Sequence, residues 1–189
     1  MSKVKYLLLS PTDKITYEQL LALKNEYHKH LRNNRFISFQ SEYSILEVIK
    51  HYKRRDKEDL KVGPYSNISF FEAANRIASD LVIIKGLLQI CKLNPKLKEK
   101  KFTLYLGTRH KKHMGDFLIG NKHGEAFNVA PSFYKSKIGR TISAWRDKSK
   151  KKFNLNYIFV NDDAVELGDV EKCLGQKIIL LPVKNWSIK

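Results

Sequence analysis

The chain has 189 residues, 42% of them hydrophobic, and its 36 lysines and arginines against 19 acidic residues give a formal net charge of +17. That length and apolar content exclude global disorder and fit one compact domain, or a core with a small extension. The positive excess is larger than solubility requires, so it predicts a polyanionic partner.

No apolar run reaches the length needed to cross a bilayer, and the N-terminus lacks the layout of a signal peptide. We therefore expect a cytoplasmic protein with no membrane partner. Cys91 and Cys173 lie in apolar periodic segments and are expected to be reduced core thiols.

The first part of the chain, residues 1–68, is predicted to be a helical extension. A short strand at 5–10 precedes helices at 16–33 and 44–55, and Ser44 with Glu47 forms a capping box for the second helix. Residues 54–66 are charged and end in Gly63 and Pro64, which indicates a loop.

From residue 69 the pattern predicts a helix, three strands, a helix, a strand, a helix and a final strand. The helices are expected at 69–91, 136–147 and 169–174, and the strands at 102–107, 117–120, 125–130, 156–160 and 177–183. Residues 121–124 would turn the hairpin between the second and third strands. Strands separated by helices predict an α/β fold in which residues 69–189 form one unit, with a mixed central sheet flanked by helices.

Acidic residues open two neighbouring predicted strands, Asp116 before the first and Glu125 at the start of the next. Paired carboxylates in so basic a chain suggest a divalent metal held against a phosphodiester, because Mg²⁺ prefers oxygen ligands. The preceding helix adds Glu72 and Asp80, with Arg76 between them on one face. Capping alone would explain Glu72, and pairing with Arg76 would explain Asp80.

This order of elements, with Asp116 opening the second strand and Glu125 on the third, resembles the PD-(D/E)XK superfamily of restriction-endonuclease-like nucleases. The resemblance covers roughly residues 69–183 and implies an αβββαβ core. It also implies that Asp116 and Glu125 bind Mg²⁺, and that a carboxylate from the helix, Glu72 or Asp80, completes the site.

The position of the family's lysine departs from this pattern, because Phe127 stands where the lysine of Glu-x-Lys belongs. Asn128 follows one residue later. Lys135 and Lys137 begin the next helix, and Lys137 is the better candidate of these two to reach back toward the attacking water. A one-residue change of register reverses the strand's faces. If Asn128 faces the site, Ala126 replaces the usual glutamate and Glu125 points away.

Basic clusters surround the proposed hairpin in sequence. Individually they are ordinary solvated surface, but together they suit a track for phosphates. The candidate nucleic-acid contacts are Arg109, Lys111, Lys112, Lys135, Arg140 and the aromatic Tyr134. His110, His113 and Asp116 are spaced by three, which is a weak signal for zinc. Cationic neighbours disfavour a second cation there, so phosphate contact is the preferred interpretation.

The sequence therefore predicts a magnesium-dependent DNA endonuclease of type II restriction character, acting on double-stranded DNA, with a homodimer implied by the resemblance. A non-catalytic nucleic-acid-binding protein on the same fold is the first alternative, suggested by Phe127. An RNA-binding or RNA-processing factor is the second, suggested by charge alone.

Overall fold

The computed structural model describes residues 5, 6, 8, 14–32, 44, 46, 47, 49, 53, 61–107, 115–146, 154–165 and 177–184. Its helices are α1 (Tyr17–Arg32), α2 (Phe70–Leu93) and α3 (Pro131–Arg146). Its strands are β1 (Lys5–Tyr6), β2 (Tyr65–Ser66), β3 (Phe102–Leu104), β4 (Phe117–Ile119), β5 (Lys122–Phe127), β6 (Leu155–Asn161) and β7 (Ile179–Val183). Short 3₁₀ turns occupy Pro95–Glu99 and Asp162–Ala164.

A five-stranded sheet has the order β3-β4-β5-β6-β7. The pairs β3–β4 and β4–β5 are antiparallel, whereas β5–β6 and β6–β7 are parallel. The change of direction follows from the connections, because a tight hairpin joins β4 to β5 while α3 crosses over from β5 to β6. The prediction of a mixed α/β fold with flanking helices is confirmed.

Helix α2 begins where the sequence places it. The Ser69 hydroxyl accepts a hydrogen bond from the Glu72 backbone N–H at 3.3 Å, and the helix ends at Asn94, just before Pro95. Gly86 lets the helix lie close to the sheet, since a Cβ there would be 2.4 Å from the Phe159 ring. Most of α2 is apolar because it packs between α1 and the sheet.

Helix α3 covers the opposite face of the sheet, where Tyr134, Ile138 and Trp145 pack with Phe127 and Ile158. It begins at Pro131, earlier than the predicted start at 136, because proline suits the first turn of a helix, where its missing N–H is no loss. The described core is therefore three layers, with α1 and α2 on one side and α3 on the other.

The hairpin between β4 and β5 is tighter than the sequence suggests. Ile119 pairs with Lys122, so Gly120 and Asn121 make the turn, and Gly120 has a φ of 62° that suits glycine. The prediction of a turn at residues 121–124 is wrong. Lys122 and His123 instead belong to β5, which the short two-residue connection lets begin early.

The segment before α2 shares the main core. Ile15 pairs with Phe102 of β3, and Leu20, Leu23 and Tyr27 of α1 pack in the same cluster as α2 and the sheet. β1 and β2 form a separate two-stranded antiparallel sheet.

Two predicted helices are covered only in part or not at all. The one at 169–174 lies outside the described residues, and the one at 44–55 lies mostly outside them. The Ser44–Glu47 capping box is present, because the Glu47 N–H donates to the Ser44 hydroxyl at 3.3 Å and the Ser44 N–H donates to Glu47 Oε2 at 2.8 Å. Within the described part of the chain, no helix has both the length and the apolar character needed to cross a membrane.

Candidate functional site

A pocket of about 540 Å³ lies between α2 and the β4–β5 part of the sheet. Residues of α2 form most of its wall, and the strands contribute one acidic and one small residue. Its lining consists of Phe71, Glu72, Asn75, Arg76, Ser79, Asp80, Ile83, Asp116 and Ala126. Three of the sequence-predicted acidic residues, Glu72, Asp80 and Asp116, are therefore brought to one cavity.

Asp116 directly precedes β4 and is held by hydrogen bonds from its backbone and its side chain. Its backbone extends the sheet on both sides, since the Tyr105 N–H donates to the Asp116 carbonyl at 2.9 Å and the Asp116 N–H donates to the Gly124 carbonyl at 2.8 Å. Its side-chain Oδ2 accepts from the Ala126 N–H at 2.8 Å. This charge-assisted bond fixes the carboxylate against β5, beside the pocket.

The alternation of β5 separates Glu125 from Asp116. Ala126 faces the pocket, whereas the Glu125 Oε1 accepts from the indole N–H of Trp145 on α3 at 2.7 Å. The structure therefore does not bring the predicted pair, Asp116 and Glu125, into one site. As in the other register considered from the sequence, Ala126 faces the pocket and Glu125 points away, but Asn128 is not among the lining residues.

Glu72 enters the pocket from the first turn of α2, together with Arg76. The Arg76 Nη2 and Nε donate to Glu72 Oε1 at 3.1 and 3.3 Å, and its Nη1 donates to the Gly107 carbonyl at 2.8 Å. Arg76 and Glu72 form an ion pair. The guanidinium thus orients Glu72 and joins it to the end of the segment after β3.

Asp80 is an internal anchor. It is 2% exposed, and its Oδ2 accepts from the hydroxyls of Tyr27 at 2.9 Å and Tyr65 at 2.5 Å. Its Oδ1 accepts from the Gly107 N–H at 3.3 Å. Burial, with the charge of Asp80 next, raises the pKa of both tyrosines, which keeps them protonated as donors. Asp80 thus ties α1, β2 and the residues after β3 to α2.

The two candidates for the missing lysine do not line the pocket. Lys137 is exposed on α3, with its Nζ 5.6 Å from the centre of the Phe127 ring, which is buried on the α3 side of the sheet. Asn128 is half-buried directly after β5 and is absent from the lining. Arg76 is the cationic side chain among the described residues that line the pocket. The expectation that Lys137 reaches back to the site is therefore corrected.

The predicted nucleic-acid contacts are divided by the structure. Lys135 and Arg140 are exposed on α3, away from the pocket, and Arg140 donates to the Ser136 hydroxyl at 2.6 Å. Tyr134 is only 1% exposed, so the expectation that it contacts nucleic acid is corrected: its place on the core side of α3 hides the ring from a base. Arg109, Lys111 and Lys112, with His110 and His113, lie outside the described residues.

Sequence reasoning missed Phe71 and Asn75, which line the pocket. A signal for them exists, because Phe71, Asn75 and Ser79 recur at helical spacing and form one row along α2. This row was overlooked because the capping box of Ser69 and Glu72 already explained the start of the helix.

The carboxylates of the pocket are the residues that bear on the magnesium ion expected from the sequence. Among the described residues, no group of three or more His, Cys, Asp or Glu side chains could hold a metal ion. Magnesium in phosphoryl-transfer sites commonly uses one or two carboxylates together with substrate phosphates and waters. Asp116 and Glu72 line the same pocket, whereas both oxygens of Asp80 accept hydrogen bonds from internal donors.

No family model, curated protein or solved structure matches this chain. The mixed α/β class is established by the strand order and the packing of the helices. The PD-(D/E)XK resemblance remains a prediction from the order of elements and the position of Asp116.

Proposed function

We propose that the protein is a magnesium-dependent nuclease that hydrolyses phosphodiester bonds in DNA, with Asp116 and Glu72 as its metal-binding carboxylates. One observation carries the proposal. Carboxylates from two parts of the chain line a single pocket, and one of them, Asp116, directly precedes β4, where the resemblance expects the first metal ligand. The net charge of +17 supports a polyanionic substrate.

The order of elements from α2 to β6 supports the finer fold assignment. A helix, three antiparallel strands, a crossover helix and a parallel strand follow one another, which is the αβββαβ order of restriction-endonuclease-like nucleases. Cutting both strands of DNA is most simply done by a two-fold pair, so a homodimer belongs to the proposal.

The pocket residues have distinct roles in this proposal. Bound magnesium supplies a polarised phosphoryl oxygen and a hydroxide near neutral pH. Asp116 and Glu72 would hold it, and the Ala126 N–H keeps the Asp116 carboxylate in place. Arg76 orients Glu72 and offers guanidinium donors that suit a phosphate.

The test is cleavage of supercoiled plasmid and mixed-sequence linear DNA with Mg²⁺ or with EDTA. Asp116→Ala and Glu72→Gln should each lower the Mg²⁺-dependent rate by more than about a hundredfold, since loss of a metal ligand exceeds the effect of removing an outer partner. Glu125→Gln is the matched control. Because Glu125 lies on the α3 face, this variant should stay within about twofold of the wild type.

Two outcomes would contradict the assignment. Equal cleavage by the wild type and Asp116→Ala would remove Asp116 as a ligand. Loss of cleavage in Glu125→Gln, with Glu72→Gln unaffected, would restore the pair suggested by the sequence. Thermal unfolding of each variant separates loss of activity from loss of fold.

A non-catalytic nucleic-acid-binding protein is the second candidate, and the observation favouring it is Ala126 at the strand position of the second carboxylate, in a pocket whose described lining has no lysine. Salt-dependent binding of DNA or RNA without Mg²⁺-dependent cleavage would support it. A preference for structured RNA over duplex DNA would point to an RNA-binding or processing factor.

A further inference from the structure

The pocket wall on α2 consists of two neighbouring rows of side chains. Glu72, Arg76 and Asp80 form a charged row, one helical turn apart from each other. Phe71, Asn75 and Ser79 form the second row, which is uncharged and has no part in the proposed metal chemistry.

Phe71 is an unusual member of this wall. It is 46% exposed at the pocket, on a helix that buries most of its other large apolar side chains. Its ring lies edge-on to Phe70, with the centroids 6.0 Å apart and the planes at 74°. That contact restricts the ring and gives the pocket rim a defined aromatic surface.

Polar groups follow Phe71 along the same row. Asn75 is exposed one turn later. The half-buried Ser79 donates its hydroxyl hydrogen to the backbone carbonyl of Asn75 at 3.0 Å. An amide can both donate to and accept from the edge of a base. An aromatic face next to such a group is a combination that proteins use to bind unpaired nucleotides.

The secondary structure of the nucleic acid matters here. Within a duplex, each base is covered on both faces by its neighbours, so an aromatic ring at the rim of a pocket cannot stack on it. Only a base in a single strand, a loop or an extruded nucleotide exposes a face.

We propose that Phe71 is a stacking platform for an unstacked nucleobase of the substrate strand, with Asn75 contacting the edge of that base. The substrate class is therefore nucleic acid that is single-stranded or splayed beside the Asp116–Glu72 pair. The inference rests on the proposed function for the identity of the pocket. Its binding step, however, needs no metal.

The test measures binding in EDTA of a mixed-sequence single-stranded oligonucleotide and of the same sequence as a blunt duplex. Phe71→Ala and Phe71→Leu should weaken single-strand binding by about tenfold, the effect typical of one lost base–aromatic stack. Phe71→Tyr should stay within about twofold of the wild type, because it keeps a ring. Binding of the duplex should change little in all three variants.

Phe133→Ala is the matched control, since Phe133 is 67% exposed but lies on α3, across the sheet from the pocket. It should leave single-strand binding within about twofold of the wild type. A fluorescent base analogue in the strand should be quenched by the wild type and by Phe71→Tyr, and less by Phe71→Leu. Thermal unfolding confirms that each variant is folded.

Unchanged single-strand binding in Phe71→Ala would overturn the inference, as would an equal loss in Phe71→Leu and Phe71→Tyr, or an equal loss on duplex. Mg²⁺-dependent cleavage separates the two proposals. If cleavage needs Asp116 but binding ignores Phe71, this inference fails alone. If binding needs Phe71 but no cleavage occurs, the inference stands and the proposed nuclease activity fails.

Discussion

The two faces of the five-stranded sheet treat their acidic residues differently. On the α2 face, Asp116, Glu72 and Asp80 line a pocket, and Asp80 is the most deeply buried of the three. On the α3 face, Glu125 accepts a hydrogen bond from the indole N–H of Trp145, whose ring centre lies 5.9 Å from that of His123 on β5. The α2 face therefore leaves room for a ligand beside its carboxylates, and the α3 face uses its carboxylate to position a buried aromatic ring.

This difference shows that one residue of strand register decides which side chain of β5 lines the pocket. Glu125 and Ala126 are neighbours in sequence but face opposite layers. The other two carboxylates that line the pocket, Glu72 and Asp80, come from α2, which lies over the same strands. The following predictions test how far the two faces differ.

The largest effect is expected from Asp80, the anchor of the α2 face. Asp80→Ala would leave two tyrosine hydroxyls and the Gly107 N–H buried without their acceptor, so the free energy of unfolding should fall by about 4 kcal/mol. Urea denaturation measures it. Glu26→Ala on the exposed side of α1 is the control and should change stability by less than about 0.5 kcal/mol. A loss below about 1 kcal/mol for Asp80→Ala would show that the cluster is not an anchor.

Alanine substitutions at two glycines, one on each face, should change the free energy of unfolding in opposite directions. At Gly124 an added Cβ would lie 2.1 Å from the Phe117 ring, which is itself stacked on Phe159 at 4.3 Å and cannot retreat. Gly124→Ala should therefore destabilise the fold by about 2 kcal/mol. At Gly139 on α3 nothing lies within 4 Å, so Gly139→Ala should stabilise it by about 0.5–1 kcal/mol through helix propensity. The same sign for both in chemical denaturation would contradict this packing.

Much of the fold follows from local signals in the sequence. Ser69 before an apolar run and Pro95 after it define α2 to within two residues, and alternating strand segments predict the mixed sheet. The turn of the hairpin was predicted at the wrong residues because Lys122 and His123 are polar. The turn consists of Gly120 and Asn121, so both polar residues lie in β5. Polarity alone does not mark a turn.

The site was harder to predict than the fold. The sequence identified Asp116, Glu72 and Asp80, but it could not fix which face of β5 meets α2, because register depends on long-range packing of Phe117 and Phe127. It also could not show that Arg76 pairs with Glu72, since both acidic residues lie one turn from it. The sequence also does not show that Phe71 is exposed beside a pocket, because the pocket is formed by elements distant in sequence.

Alkaline pH should weaken the α2 face through Tyr27 and Tyr65. Burial and then the Asp80 charge raise the pKa of both hydroxyls, whereas tyrosines of the unfolded chain ionise near pH 10. Above about pH 10 the unfolded chain loses protons that the folded chain keeps. The free energy of unfolding should thus be unaffected by these groups at lower pH and then fall by up to about 1.4 kcal/mol per pH unit for each tyrosine.

The measurement is urea denaturation from pH 8 to pH 11. Tyr27→Phe should be less stable than the wild type at pH 8, because Asp80 loses a donor, but it should show a shallower alkaline decline. Parallel declines in the two proteins would mean that Tyr27 does not keep its proton in the fold.

The smallest effect is expected on the α3 face, from the bond between Glu125 and Trp145. Glu125→Leu removes the acceptor of a buried indole N–H and should cost about 1 kcal/mol, whereas Glu125→Gln keeps an acceptor oxygen and should cost less. Tryptophan fluorescence during urea denaturation reports both stability and the setting of the indole. Because Glu125 is only partly buried, water can replace part of what is lost, unlike at Asp80. If Glu125→Leu lowered the free energy of unfolding as much as Asp80→Ala, the two faces would depend equally on their carboxylates. That result would contradict the contrast drawn between them.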